Sequence, residues 1–168
     1  LKQNVYVLLK RVARITTNRR LNLVQKIERG NDLYAIIIRH NYSKDGIQFF
    51  TPDEYSQQLG YMKHPKGKLI FPHVHNEVKR NVYLTQEVLV IKKGKLCVDF
   101  YDDDKRYLFS EILCNGDLIL LSKGGHGFEV LEDLELIEIK QGPYCGDQDK
   151  TRFENALPNK LTIISEMK

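Results

Sequence analysis

The chain of 168 residues is short of cysteine, and its three cysteines are Cys97, Cys114 and Cys145. The number is odd, the spacing is wide, and there is no C-x-x-C pair. That usage excludes a disulfide scaffold or a zinc knuckle and points to reduced thiols in a cytoplasmic protein. Long apolar runs are also missing. None approaches the ~18–20 residues that span a bilayer, so no membrane association is expected. "VYVLL" at residues 5–9 is too short for the apolar core of a signal peptide. No DNA-binding motif is present, so nucleic acid is not an expected partner. The chain begins at Leu1, and an initiator methionine or an upstream portion is expected to precede it.

What is present is ordinary in bulk and uneven in placement. Hydrophobic residues make up 42% and charged residues 29%, which fits a globular chain and not a disordered one. The net charge is +4. Residues 1–30 hold eight basic side chains against Glu28 alone, a net of +7, and the other 138 residues hold 18 basic against 21 acidic, a net of −3. Basicity therefore belongs to the N-terminal segment, where it reads as the outer face of helices that cover the body or a dimer contact.

Periodicity divides the chain into three parts. Val5, Leu8, Leu9, Val12 and Ile15 fall at helical spacing, and Leu21, Leu23, Val24 and Ile27 continue less regularly. This predicts a partly helical extension with a first strand over residues 1–45. The β-branched stretch "LYAIII" follows from residue 33, and "IQFF" follows the turn "SKDG". From there short runs alternate with turn sequences. The runs are "KLIF", "EVLVI", "KLCVDFY", "YLFSEIL", "DLILL", "GFEVL" and "LELIEI"; the turns are "KKGK", "DDDK", "CNGD", "SKGGH" and "EDL". Short strands at regular spacing predict an antiparallel sandwich or barrel over residues 46–145. The mixed tail 146–168 is expected to pack on it. "EVLVI" and "DLILL" are apolar on both faces, so a second layer is expected outside them, from the N-terminal helices or from a second subunit. A homodimer is the expected assembly on that ground.

Candidate chemistry sits at residues 71–94. In a strand, residues i and i+2 share a face, so His73 and His75 project together. Glu87 opens the next strand on the face it shares with Leu89 and Ile91. A carboxylate on an apolar interior face is costly unless paired, and a divalent cation would remove that cost. His126, at the end of the loop "LSKGGHGF", is a fourth candidate. Three imidazoles and one carboxylate suit Fe(II), Mn(II), Ni(II), Co(II) or Zn(II) better than Ca(II) or Mg(II). Such a set leaves positions open, as catalytic metal sites do. Lys79 and Arg80 lie between the histidines and Glu87 and could hold a substrate phosphate or carboxylate; a solvated loop explains them equally well.

These residues resemble the cupin superfamily. Gly67, five residues, His73-Val74-His75, then Glu87, six residues, Gly94 follow its first motif, except that eleven residues separate His75 from Glu87 where the pattern has three or four. Glu77 is an alternative to Glu87 as the acidic ligand. Gly116, five residues, Ser122-Lys123-Gly124, one residue, His126 is a near match to the second motif, with Ser122 in place of proline and one residue fewer before the histidine. "IEIKQGPYCGDQDKTRF" (137–153) is similar to the ending of the WbuC-type cupin-fold metalloproteins of bacterial surface-polysaccharide biosynthesis. The resemblance covers about residues 46–145. It implies an all-β cupin barrel (a double-stranded β-helix, or jelly roll) with a short helical N-terminal extension. It also implies one divalent transition metal on His73, His75, Glu87 and His126, and a small sugar or nucleotide-sugar substrate undergoing isomerase- or epimerase-type chemistry. Three other readings stay open: a metal-independent sugar ketoisomerase using His73 and His75 as acid and base, an Fe(II) dioxygenase, and a non-catalytic sugar-binding or regulatory module.

Overall fold

The computed structural model describes residues 22–155, so the helices expected over residues 5–20 lie outside the described residues. Eight strands follow one another: β1 (Val24–Arg29), β2 (Asp32–Ile38), β3 (Gly46–Phe49), β4 (Gly60–Lys63), β5 (Glu87–Tyr101), β6 (Tyr107–Cys114), β7 (Leu118–Leu121) and β8 (Gly125–Lys140). A 3-10 turn at Gly146–Asp149 comes last, and the described residues contain no α-helix. Six strands form one antiparallel sheet in the order β1-β2-β7-β5-β6, with β8 also paired to β5. The sheet curls into a half-barrel. β3 and β4 form a separate hairpin.

Residues 24–29 correct the helical reading. Val24 and Ile27 have helical spacing, yet they lie on β1, paired with Ile38 and Ala35 of β2. The apolar run of β2 needs an antiparallel partner on that side, and a two-residue loop at Gly30 and Asn31 supplies one by the shortest route. The main sheet thus begins at Val24 and includes residues that were expected in an extension.

Two expected turns are also absent. "KKGK" lies inside β5, and "EDL" lies inside β8. The two strands pair along their whole length, with register shifts at Ile91/Lys93, Lys93/Lys95 and Lys95/Leu96. Such irregularities bend a ribbon instead of ending it. Gly94, at φ +86°, is the pivot: a Cβ there would overlap the Asp133 carbonyl, so only glycine lets the two backbones cross this closely. A straight strand would hold positions 87 and 100 about 43 Å apart, at ~3.3 Å per residue. In the curled ribbon, Glu87 reaches the side chain of His126, the residue paired with Phe100.

The core occupies both faces of β2, β7 and the first half of β5. On the concave face Ala35, Ile37, Leu89, Ile91, Leu96, Val98, Phe100, Leu113 and Ile119 are almost wholly buried. Each of these side chains larger than alanine contributes roughly 1.5–3 kcal/mol on burial. On the convex face lie Leu33, Ile36, Ile38, Val88 and Leu120. Leu59, Tyr42, Phe50 and Tyr55 cover them. The expected second layer is therefore supplied by residues 42–59 of the same chain. Arg39 closes the end of this core, bonding Asp117 and Glu111 at 3.0 Å each and the Ile112 carbonyl at 2.8 Å. Asp117 also accepts from the backbone N–H groups of His40 and Cys114, which fastens the "CNGD" turn.

Candidate functional site

The alternation of β5 and β8 sets the site. Leu89 and Ile91 face the concave core, so Glu87 does too, and the residues opposite it on β8 share that face. Lys140 is Glu87's direct partner. At the other end of the ribbon, His126 lies opposite Phe100 on the same concave face. Curling brings both ends together at the mouth of a cleft of about 860 Å³.

Glu87 lies between two cations or potential cations. One oxygen is 3.3 Å from His126 Nε2 and the other is 3.3 Å from Lys140 Nζ. Lys140 also bonds Asp149 at 2.6 Å, and Asp149 accepts from the Thr85 hydroxyl at 2.7 Å. His126, Glu87, Lys140, Asp149 and Thr85 form one polar chain around the mouth. Its contacts shift three ionisations. Hydrogen bonding from His126, helped by Lys140, lowers the Glu87 pKa against the opposing effect of burial. Asp149 raises the pKa of Lys140, and Lys140 lowers that of Asp149. At neutral pH the mouth carries ionised carboxylates on a charged lysine. Tyr101, Phe128 and Phe153 give the cleft an aromatic side, with Tyr101 and Phe153 in edge contact at 4.9 Å. Residues 146–155 therefore help to build the cleft; the rest of the tail lies outside the described residues.

The loop before His126 is held firmly. The Ser122 N–H donates to the Tyr34 carbonyl at 2.9 Å and its hydroxyl to the Leu33 carbonyl at 2.6 Å. A proline at position 122 could not make the first of these bonds, having no N–H to give. Lys123 bonds Asp32 and Asp103, which push its pKa up to about 12. Gly124, at φ +74°, lets the backbone pass against the Tyr34 ring and the Tyr101 carbonyl.

The structure brings together two of the four expected ligands. His73 and His75 meet each other, with ring centroids 5.3 Å apart, and His73 Nδ1 lies 3.2 Å from the Phe71 carbonyl. They are not on a strand: residues 64–86 have no regular structure, and residues 65–85 are exposed throughout. The strand expected at "KLIF" is likewise absent. Among the described residues, no three His, Cys, Asp or Glu side chains gather as a metal-binding group. His73 and His75 are not among the residues that line the cleft with Glu87 and His126. Lys79 and Arg80 lie on the same exposed segment, away from the cleft lining, and Arg80 donates to the nearby Val78 carbonyl. Glu77 is exposed there as well.

Lys140, Asp149 and Thr85 were not among the expected site residues. Lys140 could have been found, because Leu136, Glu138 and Lys140 alternate on one face of "LELIEIK". Asp149 and Thr85 carry no such signal, since their place depends on the tail folding back.

The three cysteines are free: Cys97 is buried, Cys114 is half-buried and Cys145 is exposed. Among the described residues no helix is long and apolar enough to cross a membrane. No family model, no curated protein and no solved structure matches the chain.

Proposed function

We propose that the chain is a cupin-type protein whose cleft takes a small sugar or nucleotide-sugar and carries out isomerase- or epimerase-type chemistry, with Glu87 and His126 at the reacting end. One observation carries this reading: a carboxylate and an imidazole 39 residues apart in sequence meet at 3.3 Å at the mouth of a cleft with an aromatic side and charged groups of both signs. Isomerisation beside a carbonyl needs a group that removes a proton and returns it. Glu87 and His126 are close enough to share that proton. The His126 hydrogen bond, helped by Lys140, keeps Glu87 ionised and so able to accept. Phe153, on the cleft wall, is placed to face the C–H side of a sugar ring. A divalent transition metal, when bound, would add polarisation of the substrate's carbonyl or hydroxyl oxygens.

A metal-free version of the same chemistry has its own support. Both Glu87 oxygens already have protein partners, and His73 and His75 are outside the cleft. In that version the acid–base pair is Glu87 and His126, in place of the two paired histidines.

The test is deuterium wash-in from D2O with a panel of nucleotide-sugars, followed by NMR. The expected result is exchange at a carbon next to a carbonyl or masked carbonyl, lost in Glu87→Gln and His126→Gln. Absence of exchange for every sugar, in metal-loaded and metal-free protein alike, would overturn the isomerase reading and favour a binding module.

A further inference from the structure

β8 is sixteen residues long and pairs with β5 alone. Its other edge meets no strand among the described residues, an arrangement that proteins normally cover or block. Its middle, from Glu132 to Glu135, is charged and irregular in register, as protected edges are, while apolar side chains lie open toward both ends. On the concave face, Phe128 is 43% and Val130 is 57% exposed, and on the convex face Ile137 and Ile139 are about as open. The same chain holds the opposite half of a strand pair. Residues 65–85 are exposed, and among the described residues their one backbone-to-backbone hydrogen bond is Lys68 N–H to the Pro65 carbonyl. This arm exposes Leu69, Ile70, Phe71 and Val74, the last at 85%.

We propose that the chain forms a reciprocal dimer in which the arm of one copy adds as a strand to the free β8 edge of a second copy, carrying His73 and His75 to the Glu87–His126 pair of its partner. Three features support the fit. Charge is complementary: residues 64–86 hold Lys66, Lys68, Lys79 and Arg80 against Glu77, while β8 holds five acidic residues against Lys140. Alternation is complementary as well. When His73 and His75 face the concave side, Leu69 and Phe71 face it too, where Phe128 and Val130 lack cover. Directly opposite residues on adjacent antiparallel strands have Cβ atoms ~4.5–5.5 Å apart, which sets an arm imidazole beside His126. Finally, the root of the arm is clamped. The Gln86 side chain accepts from Gln57 N–H at 3.2 Å, its carbonyl accepts from Gln141 N–H at 3.0 Å, and Thr85 bonds Asp149. A two-fold exchange pairs both arms and both edges at once.

The exchange rests on edge and arm; only its metal consequence rests on the function proposed above. Light scattering in chelator tests the first. Wild type is expected to be a dimer, and both Phe128→Lys/Val130→Lys on the edge and Ile70→Glu/Val74→Glu on the arm are expected to be monomers. The arm pair guards against a misfolded edge variant, since those side chains are exposed and belong to neither core cluster. A wild-type monomer, whether its arm is cleavable or folded on its own β8, overturns the exchange. So does a dimer that neither pair disturbs. The second test purifies a doubly tagged heterodimer of His73→Ala/His75→Ala with Glu87→Gln/His126→Gln after loading with Zn(II) or Fe(II). One intact site in two is expected, giving about half the wild-type metal content, while each homodimer holds almost none. A heterodimer with no metal, beside a loaded wild type, overturns the exchange. A wild-type dimer that takes no metal, yet dissociates in both variant pairs, overturns the metal reading and leaves the exchange standing.

Discussion

The strand β2 and the arm at residues 65–85 make an instructive pair. "LYAIII" and "KLIFPHVH" are both apolar stretches of strand-forming length. The first has β1 and β7 on its two sides and cores on both faces, and Ala35, Ile36 and Ile37 are fully buried. The second has no strand beside it among the described residues, and it is exposed. Apolar composition thus marks a segment that can be buried. Whether it becomes a strand depends on which backbone edges remain for it, and among the described residues one such edge is left open on β8.

Breaking the well-partnered region should have the largest effects. Arg39→Met leaves Glu111 and Asp117 buried without their guanidinium and should cost about 3–5 kcal/mol, read as a fall in the urea midpoint. Gly94→Ala comes next. It adds a Cβ against the Asp133 carbonyl at a positive φ and should cost about 2 kcal/mol or more; it should also part Glu87 from His126, read as an NMR shift of the His126 ring. A smaller effect is expected at the β5–β6 turn. Asp102 accepts from the N–H groups of Arg106 and Asp104 and pairs with the Arg106 side chain, and these contacts lower its pKa, the Arg106 N–H most. A carboxyl with a depressed folded pKa stabilises the fold above its unfolded value of ~3.9 and loses that contribution as pH falls through the folded pKa. The melting temperature of wild type should therefore exceed that of Asp102→Asn at pH 7 and converge with it in acid. The smallest effect should come from the arm: Val78→Ala should change the unfolding midpoint by less than about 0.5 kcal/mol.

The same contrast explains what could be read from the sequence. Period-two alternation placed Glu87 on the face of Leu89 and Ile91, and the glycine loop pointed to His126; both survive in the cleft. β1 was missed because Val24 and Ile27 lie three apart, a spacing that serves a helix as well as an irregular strand with a bulge at Ile27/Glu28. "KKGK" and "EDL" were read as turns because glycine and aspartate usually make them. Here Gly94 and Asp133 cross in mid-ribbon, and a bend that needs both strands cannot be seen in either alone. The cover over the convex core, from Tyr42, Phe50, Tyr55 and Leu59, is irregular in backbone and leaves no periodic trace. His73 and His75 keep the mutual proximity that i, i+2 spacing gives, but what they face depends on an edge distant in sequence.

The most direct test of the site is elemental analysis of protein purified without chelators, comparing wild type with Glu87→Gln, His126→Gln and His73→Ala/His75→Ala. The account predicts about one divalent transition metal per chain in wild type and loss of most of it in all three variants. Full metal content in the Glu87 and His126 variants, or none in wild type even after loading, would contradict it.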